Sequence, residues 1–260
     1  MTLSLRGATV LVTRPAAQAD TLCRLIAQAD GRALRFPTLE IQPIDVDNAL
    51  IEKALTCNWL IFTSSNAVDF ALKAFGGKMA GAMAVKLAAV GQATASALQK
   101  AGLQVTCVPK TEFSSEGLLA QPAMQQVSGQ RIVIVRGMGG REKLEHTLRG
   151  RGAEVAYLEV YRRCRPDIKC DELIQSLRNQ QLNAITITSG EALQNLLTML
   201  DPAAANLLRK QPLIVVSDRI RQLALELGFD QVAVSPQPTD AAILETLTTL
   251  LNGENSGRSN

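Results

Sequence analysis

The chain states one pattern twice. TVLVTRP at 9–15 is answered by RIVIVRG at 131–137, and PTLEIQP at 37–43 by AYLEVYR at 156–162. IFTSSNAVDFAL at 61–72 returns as TITSGEALQNLL at 186–197, and LAAVGQATASALQKAGLQVTCVP at 87–109 returns as LIVVSDRIRQLALELGFDQVAVSP at 213–236. Thr63-Ser64 and its counterpart Thr188-Ser189 stand almost half a chain apart, far beyond the roughly 20–50-residue period of a solenoid. A duplication of this length describes two lobes of one fold and directs the search for chemistry to the region between them.

Each copy alternates short β-branched runs with helical periodicity. Strands are expected at 8–13, 32–36, 59–63, 86–90, 104–108, 131–135, 153–161, 184–188, 213–217 and 231–235. In 66–75, Val68, Ala71, Leu72 and Phe75 fall on one helical face. Gly31, Gly102, Gly152 and Gly228 stand where a helix must stop before the next strand. Strict alternation implies an α/β fold of parallel sheets with helices on both faces: ten strands and ten helices, dividing into two five-stranded flavodoxin-like units. The polar NGENSGRSN terminus is expected to be disordered. The lobes are either consecutive, 1–128 and 131–252, or interleaved, the chain beginning lobe one, building lobe two entire and returning. Two long extended stretches, RALRFPTLEIQPI (32–44) and AEVAYLEVYRRCRP (153–166), interrupted or ended by proline, suit crossing segments and favour the interleaved form. Lobe one then comprises 1–36 and 166–260, and lobe two 37–165.

Composition narrows the function classes. Hydrophobic residues make up 47% and charged ones 20% of 260 residues, as in a globular protein. A net charge of +3 argues against nucleic acid as partner, because such domains carry clustered basic faces. No apolar run approaches the roughly 20 residues of a membrane span, and TVLV follows the N-terminus without the basic and apolar segments of a secretory signal. The five cysteines, Cys23, Cys57, Cys107, Cys164 and Cys170, include no CxxC and suit reduced thiols in a cytoplasm. A single histidine, His146, excludes a histidine-rich zinc site, and its helix of mixed charge places it on a solvated face.

Open parallel sheets bind ligands beyond the carboxyl ends of their strands, where strand order reverses. Those ends carry Arg14 with Thr188-Ser189 in one lobe, and Arg136-Gly137 with Thr63-Ser64-Ser65 in the other. Each pairs one arginine with hydroxyls and free amides at a helix N-terminus, a combination that suits anions. The plainer reading of Ser64, Ser65, Ser114 and Ser189 is helix capping; recurrence at equivalent positions is what raises them. RGMGGRE at 136–142 is neither a Walker loop nor a dinucleotide fingerprint, so nucleotide use has no support. The only tyrosines, Tyr157 and Tyr161, share one face of an extended segment, so one in the site brings the other near.

VTRP, FTSSNAV, AAVGQATASAL, PKTEFSSEGLL, IVRGMGGRE, EVYRR and ITSGEAL, in this order, resemble the uroporphyrinogen-III synthase family over nearly the whole chain. The resemblance implies two flavodoxin-like lobes joined by a two-stranded β-ladder. It also implies a cofactor-free, generally monomeric cytoplasmic lyase acting on hydroxymethylbilane, a linear tetrapyrrole with eight carboxylates. Closure with loss of water and inversion of ring D, through a spiro intermediate, gives uroporphyrinogen III. The preceding enzyme of the pathway is the natural candidate for a transient contact. Tyr161 takes the catalytic role by this resemblance, since a phenol keeps its proton at neutral pH and can donate to the leaving hydroxyl. Thr63, Ser64, Thr94, Ser115 and Ser189 correspond to hydrogen-bonding residues, and Gly91 and Gly137 to close backbone approaches. The second copy reads VSDRIR at 216–221 where Gly91 and Thr94 stand in the first, so Ser217, with Arg219, takes that place. Two other classes compete: a non-catalytic bilobal sensor of an anionic metabolite, and a phosphoryl-transfer enzyme. Turnover separates the first, and a response to nucleotide and magnesium the second.

Overall fold

Near-continuous apolar runs such as WLIF at 59–62 are buried on both faces, and only a sheet covered on two sides satisfies them. The computed structural model describes residues 4–81, 84–140 and 142–256. In chain order, β1 (Thr9–Val12), α1 (Ala16–Gln28) and β2 (Arg32–Arg35) lead to β3 (Glu40–Pro43), α2 (Asn48–Leu55), β4 (Trp59–Phe62) and α3 (Ser65–Phe75). β5 (Lys86–Ala89), α4 (Gln92–Lys100), α5 (Ser115–Leu119), α6 (Pro122–Gln125), β6 (Arg131–Gly137), α7 (Lys143–Gly150) and β7 (Glu154–Cys164) follow. The chain ends with α8 (Asp171–Arg178), β8 (Leu182–Ile187), α9 (Gly190–Met199), α10 (Pro202–Arg209), β9 (Leu213–Val215), α11 (Asp218–Glu226), β10 (Val232–Val234) and α12 (Asp240–Ser256).

The chain divides into two compact units, one of residues 1–40 with 164–260 and one of residues 41–163. In the first, the sheet runs β10-β9-β8-β1-β2 with parallel pairing throughout. Counted within the unit, that is the order 2-1-3-4-5. Leu11 of β1 packs on one face against Ile185, Leu193 and Leu213, while Val10 and Val12 pack on the other with α1 and α12.

The second unit's sheet runs β3-β7-β6-β4-β5. Phe62, Val135 and Leu158 build the core on one face, and Trp59, Ile61, Ile134 and Leu144 the core on the other. Each such side chain removed from water contributes about 1.5–3 kcal/mol. β3 lies beside β7: Glu40 meets Cys164, Gln42 meets Arg162, and Ile44 donates to the Val160 carbonyl at 3.1 Å. Partner numbers that fall as the others rise make this ladder antiparallel.

Four expectations need correction. The strand at 104–108 is reduced to one parallel bridge, Ala88 with Cys107; its single buried cysteine gives it little apolar surface, and β3 supplies the fifth strand at the opposite edge. Twelve α-helices, not ten, lie among the described residues, because the segments after positions 114 and 201 fold into capped turns of their own. At the end of α1 the left-handed residue is Asp30, φ 57°, not Gly31. Gly31 is held instead by close approach, since a Cβ there would stand 2.7 Å from Leu5 Cδ1. Finally, α12 continues through Ser256, carrying much of the polar terminus into helix; 257–260 lie outside the described residues. Gly102, Gly152 and Gly228 do adopt positive φ, as glycine C-caps do.

Candidate functional site

Serine placed before a helix must decide where its hydroxyl goes, and in this chain the first claim is the helix. Ser64 accepts from the Ala67 amide at 3.1 Å, Ser114 from Gly117 at 3.0 Å, Ser189 from Ala192 at 3.1 Å and Ser217 from Ile220 at 3.4 Å. Capping accounts for one lone pair each. Ser65 is the first residue of α3 and caps nothing.

What separates Ser64 from the others is its second contact. β6 ends at Gly137, β4 ends just before Thr63, and beyond both carboxyl ends lies a cavity of about 410 Å³. Its walls include Thr63, Ser64, Ser115, Arg136, Gly137, Tyr157, Tyr161 and Arg163. Tyr161 is 3% exposed, and its hydroxyl lies 3.1 Å from Ser64 Oγ. Ser64 spends one lone pair on Ala67 and keeps both a lone pair and its proton, so either hydroxyl can donate across the pair; with Ser64 donating, the phenol proton is free to point elsewhere. Phe70 packs 5.6 Å from the Tyr161 ring. Gly137 makes the arrangement possible: a Cβ there would sit 2.5 Å from Tyr161 Cε2 and Cζ. Thr63 donates to the Val135 carbonyl at 3.2 Å, which fixes it to the end of β6. Gly117 lets the chain fold back before α5 and so places Ser115; a Cβ there would meet the Glu112 carbonyl oxygen at 1.8 Å.

Both tyrosines reach the cavity, but not from a shared face. Arg136 pairs with Glu159 and Gly137 with Tyr161, so the register skips Val160. This irregularity sends Tyr161 into the Phe62 core, while Tyr157 packs against the Ile134 core. They meet because the cavity lies beyond the carboxyl end of the sheet, where both faces open onto it.

Arg136 is nearly buried, its guanidinium lying 4.5 Å over the Tyr157 ring, a stacking worth about 0.5–2 kcal/mol. Burial, and secondarily the Glu145 carboxylate, push the Tyr157 phenol up to about 12. Met138, 58% exposed, gives the rim an apolar surface, and Glu159 accepts from the Gly139 amide at 3.2 Å. Sequence reasoning missed Ile134, Leu144 and Arg163 as wall residues; no local signal marks them, because α7 packs against the sheet through Leu144 and β7 runs on past the end of its partner β6.

The other expected residues are placed elsewhere. Gly91 is the N-cap of α4, and Thr94 is buried within that helix; neither lines this cavity. In the first unit, Arg14 is tied to Asp240, while Thr188 precedes the Ser189 cap of α9. Arg219 faces a separate hollow beside Gly190. A hollow of about 420 Å³ with Arg6 and Asn183 in its wall lies at the amino ends of β1 and β8, the wrong end for ligand binding in a parallel sheet. His146 is exposed and pairs with Glu142 at 3.4 Å. The cysteines are free thiols, with Cys23, Cys57 and Cys107 buried. Among the described residues no group of three potential ligands assembles for a metal, and no helix is long and apolar enough to cross a membrane.

Residues 20–245 match the family model described as uroporphyrinogen-III synthase HemD. The uroporphyrinogen-III synthase of Escherichia coli K12 is 32% identical over 243 residues, covering 92% of this chain and 99% of that protein. The Salmonella typhimurium enzyme of the same name is 33% identical over 245 residues, with the same coverage. Among solved structures, uroporphyrinogen-III synthetase from Helicobacter pylori, 16% identical, aligns with a TM-score of 0.61 over 94% of this chain and 99% of that one. A mutant uroporphyrinogen III synthase from the extreme thermophile Thermus thermophilus, 19% identical, gives 0.57 over 96% and 98%. At such identities the structural likeness speaks for the α/β fold alone.

Proposed function

The chain belongs to the uroporphyrinogen-III synthase family, a family of lyases in tetrapyrrole biosynthesis, and from that premise we propose that its second-unit cavity holds the reacting end of hydroxymethylbilane and directs closure to uroporphyrinogen III. The observation that carries the reading is the Tyr161–Ser64 hydroxyl pair at the carboxyl ends of β6 and β4, beside Gly137 and Arg136. We read the two units as flavodoxin-like lobes and the β3–β7 ladder as their linker.

The chemistry asks little of the protein in acid strength. The pyrrole nitrogen expels the terminal hydroxyl, and Tyr161 donates the proton that lets it leave as water. The azafulvene cation so formed is attacked by the substituted carbon of ring D. The resulting spiro intermediate fragments, and the ring recloses through its free α-carbon, now inverted. That carbon releases its proton as the pyrrole regains aromaticity, and the proton restores the phenol, so the net loss is one water. Ser64, by donating to the phenol oxygen, aims the phenol proton and disperses charge as it departs. Most of the acceleration comes from holding the two ends of the chain in one geometry, a contribution worth up to about 7–11 kcal/mol in well-oriented systems. Substrate carboxylates are held by arginine, hydroxyls and backbone amides: Arg136, Thr63, Ser115 and the amides after Gly137 in this unit. For the first unit the proposal is Thr188, Ser189, Ser217 and Arg14, with Asp240 a competitor for the arginine.

The test generates hydroxymethylbilane in situ, with and without the protein, and separates the oxidised uroporphyrin isomers. The expected result is a change from isomer I to isomer III, slowed about 10²-fold in Tyr161→Phe. Isomer I alone from folded protein overturns the function. Isomer III at an unchanged rate in Tyr161→Phe overturns the phenol's role.

A further inference from the structure

Two polar groups in this cavity point to a ligand more specifically than the pair at Tyr161 does. Arg136 has only 8% of its side chain exposed, yet it lines the cavity. Its Nε donates to the Gly137 carbonyl at 3.1 Å, and Glu159 stands off at 3.9 Å from the same nitrogen. Neither Nη group meets an acceptor among the described residues. Gly140, at φ 105°, keeps the guanidinium's flank open: a Cβ there would lie 2.7 Å from Arg136 Nη2. Beneath the guanidinium, the Tyr157 hydroxyl is enclosed and has no hydrogen-bond partner.

A buried hydroxyl without a partner costs folding free energy, and native proteins rarely leave one so. Its neighbours show what it lacks. With its pKa raised to about 12, the phenol is a hydrogen-bond donor across the physiological range. The Glu145 carboxylate, which contributes to that rise, is held by Arg149 at 2.8 Å and makes no hydrogen bond with the hydroxyl. A donor phenol beside guanidinium N–H groups that meet no acceptor among the described residues presents two donor points to an anionic ligand entering the cavity.

We propose that Tyr157 and Arg136 form a two-point carboxylate subsite, the guanidinium binding one oxygen and the Tyr157 hydroxyl the other. The inference rests on the reading that this cavity takes a polycarboxylate, and assigns Tyr157 a substrate-binding role of its own. The aromatic ring fixes the guanidinium plane by stacking, so one residue serves as both support and donor.

Tyr157→Phe removes only the hydroxyl and keeps the stack. In the in situ assay its KM is expected to rise roughly 5–15-fold, with kcat within twofold of wild type. Its Tm should hold or rise, because the orphaned hydroxyl is gone. Arg136→Gln raises KM as well, and adding Tyr157→Phe to it changes KM by less than threefold, because the subsite is already broken. Uroporphyrin I, a stable macrocycle with eight carboxylates, followed by its absorbance, should show the same weakening in Kd without any turnover. Unchanged KM and Kd in Tyr157→Phe overturn the subsite. So does a lower Tm with kcat and KM both impaired, the mark of a merely structural tyrosine. If the wild type makes isomer I only, the proposed reaction fails, and the uroporphyrin titration still decides the subsite.

Discussion

Gly137→Ala concentrates the logic of the site in one methyl group. The added carbon would stand 2.5 Å from Tyr161 Cε2 and Cζ and 3.0 Å from its hydroxyl. Carbon atoms settle at about 3.5–4.0 Å, so the ring must retreat by roughly 1 Å, into a core already filled by Phe70 and Val160. The Tyr161–Ser64 separation, now 3.1 Å, then passes the limit of a hydrogen bond. Overpacking costs about 1–3 kcal/mol and the lost bond about 1 more. At roughly 2–4 °C per kcal/mol for a protein of this size class, Tm should fall by about 5–15 °C. Turnover should drop about 10²-fold, the penalty of a 1 Å misplacement of a reacting group. Thermal unfolding and the isomer assay measure the two effects, and a double-mutant cycle locates their cause. In a Tyr161→Ala background the clash has no partner, so Gly137→Ala should be neutral or slightly stabilising, giving a coupling of about 2 kcal/mol or more. Tyr161→Phe should give no relief, since the offending ring carbons remain. A Gly137→Ala protein with wild-type Tm and turnover would refute the claim that this glycine exists to seat the tyrosine. Equal destabilisation with and without the Tyr161 ring would refute it too.

Ser64 carries two duties that substitution can separate. Ser64→Ala should destabilise by about 1 kcal/mol through the lost cap on α3, and Ser64→Gly by only a few tenths, while both slow isomer III formation alike; activity that tracks stability across the pair would leave the serine as a cap alone. Cys57 offers a pH test. Burial raises its pKa from 9.0 to about 11, so the folded state prefers the neutral thiol, and the stability it contributes is complete below pH 9 and lost as pH rises toward 11. The loss amounts to about 2–3 kcal/mol. Between pH 8 and pH 10.5, urea unfolding should show a decline in the wild type that is about 2 kcal/mol smaller in Cys57→Ala; parallel declines would overturn the assignment.

Much of this was legible in the residues because it depends on short-range patterning. Alternating β-branched runs and helical periodicity specify strands and helices, and serine before a helix specifies a cap, as Ser64, Ser189 and Ser217 show. The same local logic fails where an alternative satisfies the backbone equally well. Asp30 enters the left-handed region in front of Gly31 because aspartate tolerates it. The run at 104–108 yields its place as an edge strand because sheet membership is settled by which segment covers the edge, not by propensity.

The duplication itself is a property of the sequence. So are the alternation that makes each copy an α/β unit, and the placement of Thr63-Ser64, Arg136-Gly137 and Tyr161 at strand ends or on an extended segment. Which of these residues meet was decided by tertiary structure. The register skip at Val160 puts Tyr161 on one face of the sheet and Tyr157 on the other, a shift that strand periodicity does not encode. The missing Cβ of Gly137 matters only because β7 lies against β6. The stacking of Arg136 on Tyr157 likewise joins strands whose pairing spans about twenty residues. Local pattern follows from covalent geometry and side-chain chemistry; proximity across the sheet follows from how two apolar faces are covered at once.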